Sequence, residues 1–428
     1  MRILGLVLAA LIAGSSGAQS KPEPDVVGQP LDQARTEGIV RAFGGAEHWA
    51  LQAIVLLSLG SDFHPSGSAI VLQALQSKEP RLRPYAIELL KCMRPDALRK
   101  VATPELVDEL IEKDLREKNA LLVERTLEVL AHLFPDCAAK DRATWTQWWS
   151  TARKTYAIEA WTPPPPPKSN DKEQTVATSF VERAFDLRDA GLDVAIVIDS
   201  TGSMQMTIDA ARDAIDDVVA LLSGVAPKLR LGLVHYKDLD DLGGGAQLLV
   251  PMTKDQKEVR DRLAKLQAGG GGDLPERVEK GIEVALEKDM NWNKEANRLI
   301  LVIGDAPPHP ESIAPLVALV KKAHDDPFPR GKGPTTGTVK PSIYRPFIVS
   351  TIATAKAARD SFAQIAEAGG GTSVSLDASG SKKSGGDDGN AVRTIIERIM
   401  LLSFGAQYST QLEDFVHTYF EYHDAGLF

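Results

Sequence analysis

The sequence predicts two parts: an all-α helical repeat domain, then a doubly wound α/β domain with a mostly parallel sheet. The first prediction rests on helical apolar spacing from residue 31 to about residue 156, with no convincing strand. The second rests on short aliphatic strands that alternate with helical patterns after residue 179, because this order places successive strands parallel to one another. A run of five prolines at 163–167 separates the two parts.

Composition and charge are those of a soluble protein with two cores. The chain has 428 residues, of which 43% are hydrophobic and 25% are charged, and its net charge is −9. This negative balance argues against nucleic acid or an anionic membrane surface as the main partner.

The first eighteen residues resemble a secretory signal peptide. Arg2 precedes the apolar run 3–13, and the small residues Ser16, Gly17 and Ala18 follow it, so we expect cleavage after Ala18. The apolar run is well below the ~20 residues that a membrane-spanning helix needs. We therefore expect an exported protein, periplasmic or extracellular, with no transmembrane segment after cleavage. Cleavage removes one arginine and no acid, which changes the net charge from −9 to −10.

The helical repeat domain is predicted over residues 31–160. The segment 84–90 recurs 40 residues later as 124–130, and a divergent earlier copy lies at 51–57. Helical segments that repeat at this spacing resemble HEAT-type helix pairs, which bury their apolar faces by stacking on their neighbours. Cys92 and Cys137 both lie in this domain. They can pair in an oxidising compartment, and two free thiols are an equal alternative.

Residues 161–178 are the predicted linker between the domains. Consecutive prolines form a stiff, extended segment, so we expect few contacts across this boundary. The α/β domain is predicted over 179–404. The tail, 405–428, has no pattern that we can assign, and packing against the domain is the default expectation. Strands are expected at 192–198, 229–236, 246–250, 298–303, 347–353 and 372–376, and helices at 208–222, 254–267, 276–287, 311–324, 358–368 and 391–404.

Oxygen-bearing side chains follow the first strand of the α/β domain. Asp199, Thr201 and Ser203 occupy alternate positions directly after the aliphatic run 192–198. In a doubly wound sheet, the crevice beyond the carboxyl end of a central strand is the usual ligand site, and oxygen donors there indicate a divalent cation. One such residue can also cap the next helix, but three are more than a cap requires.

These residues resemble the von Willebrand factor type A (VWA) domain, whose metal-ion-dependent adhesion site begins with Asp-x-Ser/Thr-x-Ser. Two later segments appear in the same order: 269–276, GGGGDLPE, is similar to the second metal loop, and 299–309, LILVIGDAPPH, is similar to the strand that carries the last acidic residue. The resemblance implies a Rossmann-like fold with an antiparallel edge strand at 246–250.

The resemblance also implies a role for each candidate on the first loop and the last strand. Thr201 and Ser203 would bind the ion directly, while Asp199 and Asp305 would form hydrogen bonds to its water ligands. The implied ion is Mg²⁺, with Ca²⁺ or Mn²⁺ as alternatives. Without the resemblance, Asp305 would be interpreted as a turn residue.

The second metal loop departs from the commonest family pattern, which supplies a threonine there. Its acidic form resembles the integrin β-subunit version. This resemblance implies Glu276 as the ligand from this loop, with Asp273 as an alternative or as a ligand of a second ion. Asp273 and Glu276 also fit a capping box, Asp-x-x-Glu, with Pro275 in the first helical turn.

The expected function is that of an exported, non-catalytic protein-binding module. Neutral hydroxyl ligands leave a divalent ion under-neutralised, so it would capture an exposed Asp or Glu side chain of a protein partner. The alternative is a structural scaffold of the cell envelope with a degenerate, metal-free site. Enzyme motifs such as Gly-x-Ser-x-Gly, His-Glu-x-x-His and Cys-x-x-Cys do not occur in the sequence. Asp199 and Ser203 have no candidate base nearby in the sequence, and His235, at the end of the neighbouring strand, stays open as an alternative.

Overall fold

The structure is a computed structural model, and it describes residues 31–161, 176–238, 245–271, 274–325, 345–375 and 389–427. The predicted signal peptide and most of the predicted linker lie outside these ranges. Among the described residues, no helix has both the length and the apolar character needed to cross a membrane.

The amino-terminal described residues form short helices that stack in two rows. They are α1 (Gln33–Gly45), α2 (Trp49–Leu57), α3 (Ser68–Leu75), α4 (Leu82–Cys92), α5 (Pro95–Val101), α6 (Pro104–Glu112), α7 (Ala120–Leu133) and α8 (Arg142–Ala152). Helix α4 packs against α2 and α7, while α3 packs against α1 and α6. The three echoing segments lie in α2, α4 and α7, which form one row. This order of stacking is consistent with a helical repeat domain.

Polar side chains define where several of these helices begin. Thr103, Asn119 and Asp141 stand immediately before α6, α7 and α8, and each accepts a hydrogen bond from the backbone N–H three residues later. Cys92 and Cys137 are free thiols in the structure.

The second part is a six-stranded sheet with helices on both faces. Its strands are β1 (Leu192–Asp199), β2 (Leu229–Tyr236), β3 (Ala246–Thr253), β4 (Asn297–Gly304), β5 (Phe347–Ala353) and β6 (Gly370–Ser375). Its helices are α9 (Val176–Ala190), α10 (Gln205–Val225), α11 (Gln256–Lys265), α12 (Val278–Leu286), α13 (Pro310–Asp325), α14 (Arg359–Ala368) and α15 (Gly389–Phe404). The strand order is β3-β2-β1-β4-β5-β6, and only the edge strand β3 pairs antiparallel. The predicted α/β fold class is confirmed.

Strand β1 lies at the centre of the sheet, and all eight of its residues are buried. Its side chains alternate between the faces: Val194 and Ile196 join the core beneath α10 and α15, while Ala195 and Val197 join the core beneath α12, α13 and α14. Burial on both faces explains why the strand is an almost continuous aliphatic run.

The carboxyl-terminal tail forms a helix, α16 (Ser409–Asp424), that packs against the amino-terminal helices α2 and α4. The ring of Phe415 stacks on Tyr85 and Trp49, with centroid distances of 5.4 and 6.2 Å. The Tyr422 hydroxyl donates a hydrogen bond to Glu88 Oε1 at 2.9 Å. Helix α16 also contacts α15 of the α/β domain, which agrees with the default expectation, whereas its contacts with α2 and α4 were not expected.

The two parts of the chain share a continuous apolar core. One cluster extends from α2 and α4 through α16 into α9 and α10. Helix α10 approaches α2 so closely that a Cβ atom at Gly224 would lie 2.6 Å from Ala50 Cβ. The expectation of few contacts across the boundary is wrong, because linker composition describes the connecting segment and carries no information about surfaces that meet elsewhere.

Candidate metal centre

The loop after β1 brings three of the predicted ligands together. Asp199 Oδ1 accepts hydrogen bonds from Thr201 N at 2.8 Å and from Thr201 Oγ1 at 2.7 Å. Thr201 Oγ1 lies 3.5 Å from Ser203 Oγ. Asp199 and Thr201 are buried, whereas Ser203 is exposed, so the cluster opens to solvent on the Ser203 side.

The glycine-rich loop that follows α11 runs alongside this first loop. Gly202 N donates to Gly270 O at 3.1 Å, and Gly269 N donates to Ser200 O at 3.0 Å. These backbone hydrogen bonds hold the two loops at a fixed separation at the carboxyl end of β1.

Gly271 lies between two of the predicted ligands. Its φ of +73° is in the left-handed region that favours glycine. A Cβ atom there would lie 3.0 Å from Thr201 Cβ and 3.2 Å from Glu276 Oε1. Thr201 and Glu276 therefore both face this glycine, which shows that the second loop brings Glu276 to the first.

Glu276 is 4% exposed, and its backbone is tied to the loop after β4. Glu276 N donates to Pro307 O at 2.9 Å, two residues beyond Asp305. Helix α12 begins at Val278, with no capping hydrogen bond from the side chain of its N-cap residue. Glu276 thus precedes the helix. The capping-box alternative, which needs Glu276 inside the first helical turn, is therefore wrong. Asp273 lies outside the described residues.

The structure adds Tyr236, the last residue of β2, to the site. It pairs with Asp199 in the parallel register of β1 and β2, and its side chain is fully buried. Burial raises the pKa of Tyr236 well above its ordinary value, and the carboxylates of Asp199, Asp305, Glu276 and Glu279 raise this pKa further. The phenol therefore lies near carboxylates of the candidate site. No local sequence signal identifies Tyr236, because its place in the site depends on the register between β1 and β2.

The electrostatics of the site fit a bound cation. Burial raises the pKa of Asp199 to about 6; hydrogen bonds from Thr201 oppose this rise, and the nearby Asp305 carboxylate adds to it. Asp199 Oδ2 and Asp305 Oδ1 are buried oxygens that accept no hydrogen bond within the described part of the chain. Because burying unpaired carboxylate oxygens is unfavourable, a hard cation among these oxygen donors would stabilise them.

The predicted ligand set differs from a cluster of acidic residues. In the described ranges, no three His, Cys, Asp or Glu side chains lie close enough together to hold a metal ion by themselves. The site instead combines the hydroxyls of Thr201 and Ser203 with carboxylates.

A comparison with protein families identifies the second part of the chain. The family model described as von Willebrand factor A domain matches residues 193–378. These residues form a VWA domain. The predicted resemblance is therefore confirmed for this region. VWA domains mediate protein–protein interactions and commonly bind a divalent metal at the adhesion site.

Known proteins match this chain over a limited length. An alpha-protein kinase of Dictyostelium discoideum is 28% identical over 123 residues, which are 28% of this chain and 19% of the relative. An ariadne-like RING finger protein of Acanthamoeba polyphaga mimivirus is 26% identical over 128 residues, which are 29% of this chain and 12% of the relative. The chain thus aligns with less than a fifth of the length of these relatives.

Two solved structures are also similar. The SpRpn10 VWA domain has 14% identity and a TM-score of 0.34, covering 47% of this chain and 94% of its own. The protein BatB of Bacteroides thetaiotaomicron has 16% identity and a TM-score of 0.33, covering 50% of this chain and 100% of its own.

His235 contacts a different serine of the VWA domain from the one considered in the sequence. Its Nδ1 lies 2.9 Å from Ser200 Oγ, and its Nε2 lies 3.4 Å from Gln247 Oε1. Ser200 is fully buried. The alternative left open in the sequence, His235 as a base for Ser203, is not favoured, because the imidazole is hydrogen-bonded to the buried Ser200.

Proposed function

We propose that this chain is an exported, non-catalytic protein-binding module. Its VWA domain would hold one divalent cation, Mg²⁺ ahead of Ca²⁺ or Mn²⁺, and would capture an Asp or Glu side chain of a protein partner. The observation that carries the proposal is the pair of buried carboxylate oxygens, Asp199 Oδ2 and Asp305 Oδ1, which accept no hydrogen bond within the described residues, in a site whose first loop also carries the exposed Ser203. Export is proposed from residues 1–18 of the sequence alone.

Each described residue of the site has a distinct proposed role. The hydroxyls of Thr201 and Ser203 would be direct ligands, and the Asp199 and Asp305 carboxylates would hold the metal's water ligands. Thr201 suits this role because its proton is already directed to Asp199 Oδ1, which leaves the oxygen lone pairs available. Glu276 would approach from the second loop.

When bound, the cation supplies an exchangeable coordination position that an outside carboxylate can occupy. The protein's contribution is to hold the oxygen donors in place before the partner arrives. The backbone hydrogen bonds between the Ser200–Gly202 and Gly269–Gly270 loop segments do this, since they restrict the position of the first loop. A non-catalytic role is proposed because the nearby imidazole of His235 is hydrogen-bonded to Ser200 rather than to Ser203.

The proposal is tested by metal-dependent stabilisation of the full chain. Ligand binding to the native state raises stability by about 2.7 kcal/mol when the free ligand is at 100 times its Kd. We expect Mg²⁺ to raise the melting temperature of the wild type relative to the same protein in EDTA. Asp199→Ala should abolish this rise, whereas Asp213→Ala, at an exposed position of helix α10, should leave it intact.

Two results would contradict the proposal. One is a wild-type melting temperature that does not respond to Mg²⁺, Ca²⁺ or Mn²⁺, which would favour the scaffold with a metal-free site. The other is a rise of equal size in Asp199→Ala, which would place the ion elsewhere.

A further inference from the structure

Exposed large hydrophobic side chains occur close in sequence to the predicted metal ligands. Among the described residues, the exposed large hydrophobic side chains are Ile158, Met206 and Leu274, at 41%, 85% and 59% exposure. Met206 follows Ser203 by three residues, and Leu274 precedes Glu276 by two. Two of these three positions therefore lie close in sequence to the proposed ligands, Met206 in the first turn of α10 and Leu274 on the second loop.

The first turn of α10 directs Met206 away from the core. Its neighbours Met204 and Ile208 are completely buried, so the helical turn leaves the intervening Met206 on the solvent side. The turn is also anchored to the second loop, because Gln205 Oε1 accepts a hydrogen bond from Ala268 N at 3.1 Å. Met206 is therefore exposed on a helical turn whose position is fixed by this hydrogen bond.

The negative net charge of the chain indicates that binding of an acidic partner at this site depends on short-range contacts. The chain carries a net charge of −9, so it does not attract an acidic partner from a distance. A partner carboxylate gains its coordination only at contact. Apolar side chains around that point can add affinity by losing their exposure to water, and methionine adapts readily to differently shaped partners.

We propose that Met206 and Leu274 form an apolar rim that selects the partner of the metal centre. The rim fits a protein segment in which the Asp or Glu has a large aliphatic or aromatic side chain within about three residues. This inference rests on the proposed function, since it names the sequence chemistry of the partner captured there. An acidic segment with only polar neighbours would leave both rim residues exposed.

The test is selection from a random peptide library displayed on phage. The full chain is immobilised in Mg²⁺, and bound phage are eluted with EDTA, so that only metal-dependent binders are sequenced. We expect peptides in which an acidic residue is accompanied by a nearby Leu, Ile, Met, Phe, Tyr or Trp. The affinity of the most enriched peptide is then measured on the wild type and on variants.

Met206→Ser and Leu274→Ser should each weaken peptide binding roughly ten-fold, as expected for truncated apolar contacts. Ile158→Ser is the matched control, because it removes an exposed hydrophobic side chain that follows α8 in the helical domain, and its affinity should equal that of the wild type. Both rim variants should keep the Mg²⁺-dependent rise in melting temperature, which shows that they are folded and still bind the ion.

The possible outcomes separate the two proposals. EDTA-eluted peptides that carry an acid without an apolar neighbour, or rim variants with wild-type affinity, would overturn the apolar rim while leaving the metal-dependent function standing. A wild type that yields no EDTA-eluted peptides, or an Asp199→Ala variant that yields the same ones, would overturn the proposed function and the rim with it.

Discussion

Replacement of Phe415 by alanine tests whether the carboxyl-terminal helix holds the two parts of the chain together. Phe415 is fully buried between α16 and the amino-terminal helices. Its ring is nearly parallel to that of Tyr85, at an interplanar angle of 17°, and the Tyr85 hydroxyl donates to Phe415 O at 3.1 Å. Truncation of a buried phenylalanine costs about 3–5 kcal/mol through lost transfer free energy and the cavity that remains.

The free energy of unfolding should therefore fall by about 3–5 kcal/mol in Phe415→Ala. The assay is urea denaturation of the full chain, followed by tryptophan fluorescence and by far-ultraviolet circular dichroism. Trp49 contributes to the fluorescence change because it stacks on Phe415 and on Tyr419 in the native state. Glu413→Ala is the control, since Glu413 is exposed on the same helix.

A loss below about 1 kcal/mol in Phe415→Ala, similar to that in Glu413→Ala, would refute the reasoning, because losses of that size are usual for surface positions. It would mean that α16 contributes little to the stability of the amino-terminal helices.

Two further predictions concern individual residues. Burial raises the pKa of Asp114 to about 7, which is above its unfolded value, so its contribution to stability is present at low pH and is lost as the pH rises through 7. Relative to Asp114→Asn, the wild type should lose a few kcal/mol between pH 4 and pH 8 in urea denaturation, and parallel pH profiles would contradict this. Gly271→Ala should lower stability by roughly 1–2 kcal/mol and weaken the Mg²⁺-dependent rise in melting temperature, because alanine is strained at this φ and crowds Thr201. Wild-type behaviour in both measurements would show that the loop tolerates a side chain.

The sheet was predictable from the sequence because its signals are local. The strands expected at 229–236 and 347–353 have those bounds in the structure, and the aliphatic run at 192–198 is the central strand. Each is a short β-branched or aliphatic segment that ends at polar residues, so neighbouring residues alone identify it. The edge position and antiparallel direction of β3 came from the family resemblance rather than from any local pattern.

The candidate site was predictable in part. Motif spacing identified Asp199, Thr201 and Ser203, which the structure brings together. It did not identify Tyr236, because the role of that residue depends on the register between two strands and not on either strand alone. The start of α12 was placed two residues too early, since Glu276 also suits a helical first turn and only the bond to Pro307 shows that it lies before the helix.

The packing of α16 on α2 and α4 was not predicted, because the contacting residues lie far apart in the sequence. The surface that receives Phe415 includes Tyr85, which is 330 residues earlier, so no local pattern could name the contact. A local signal for the helix itself was present. Buried residues at 412, 415, 416, 419 and 420 follow helical spacing and define an apolar face that needs a partner.

The most direct test of the account is to locate the ion by anomalous diffraction from crystals of the full chain grown with Mn²⁺. The account predicts one anomalous peak at roughly 2.0–2.3 Å from both Thr201 Oγ1 and Ser203 Oγ, distances typical of a hard cation bound by oxygen. Asp199 and Asp305 should lie one water molecule farther away. A peak bound to other residues, or no peak when these two loops are well ordered, would contradict the metal-dependent binding site.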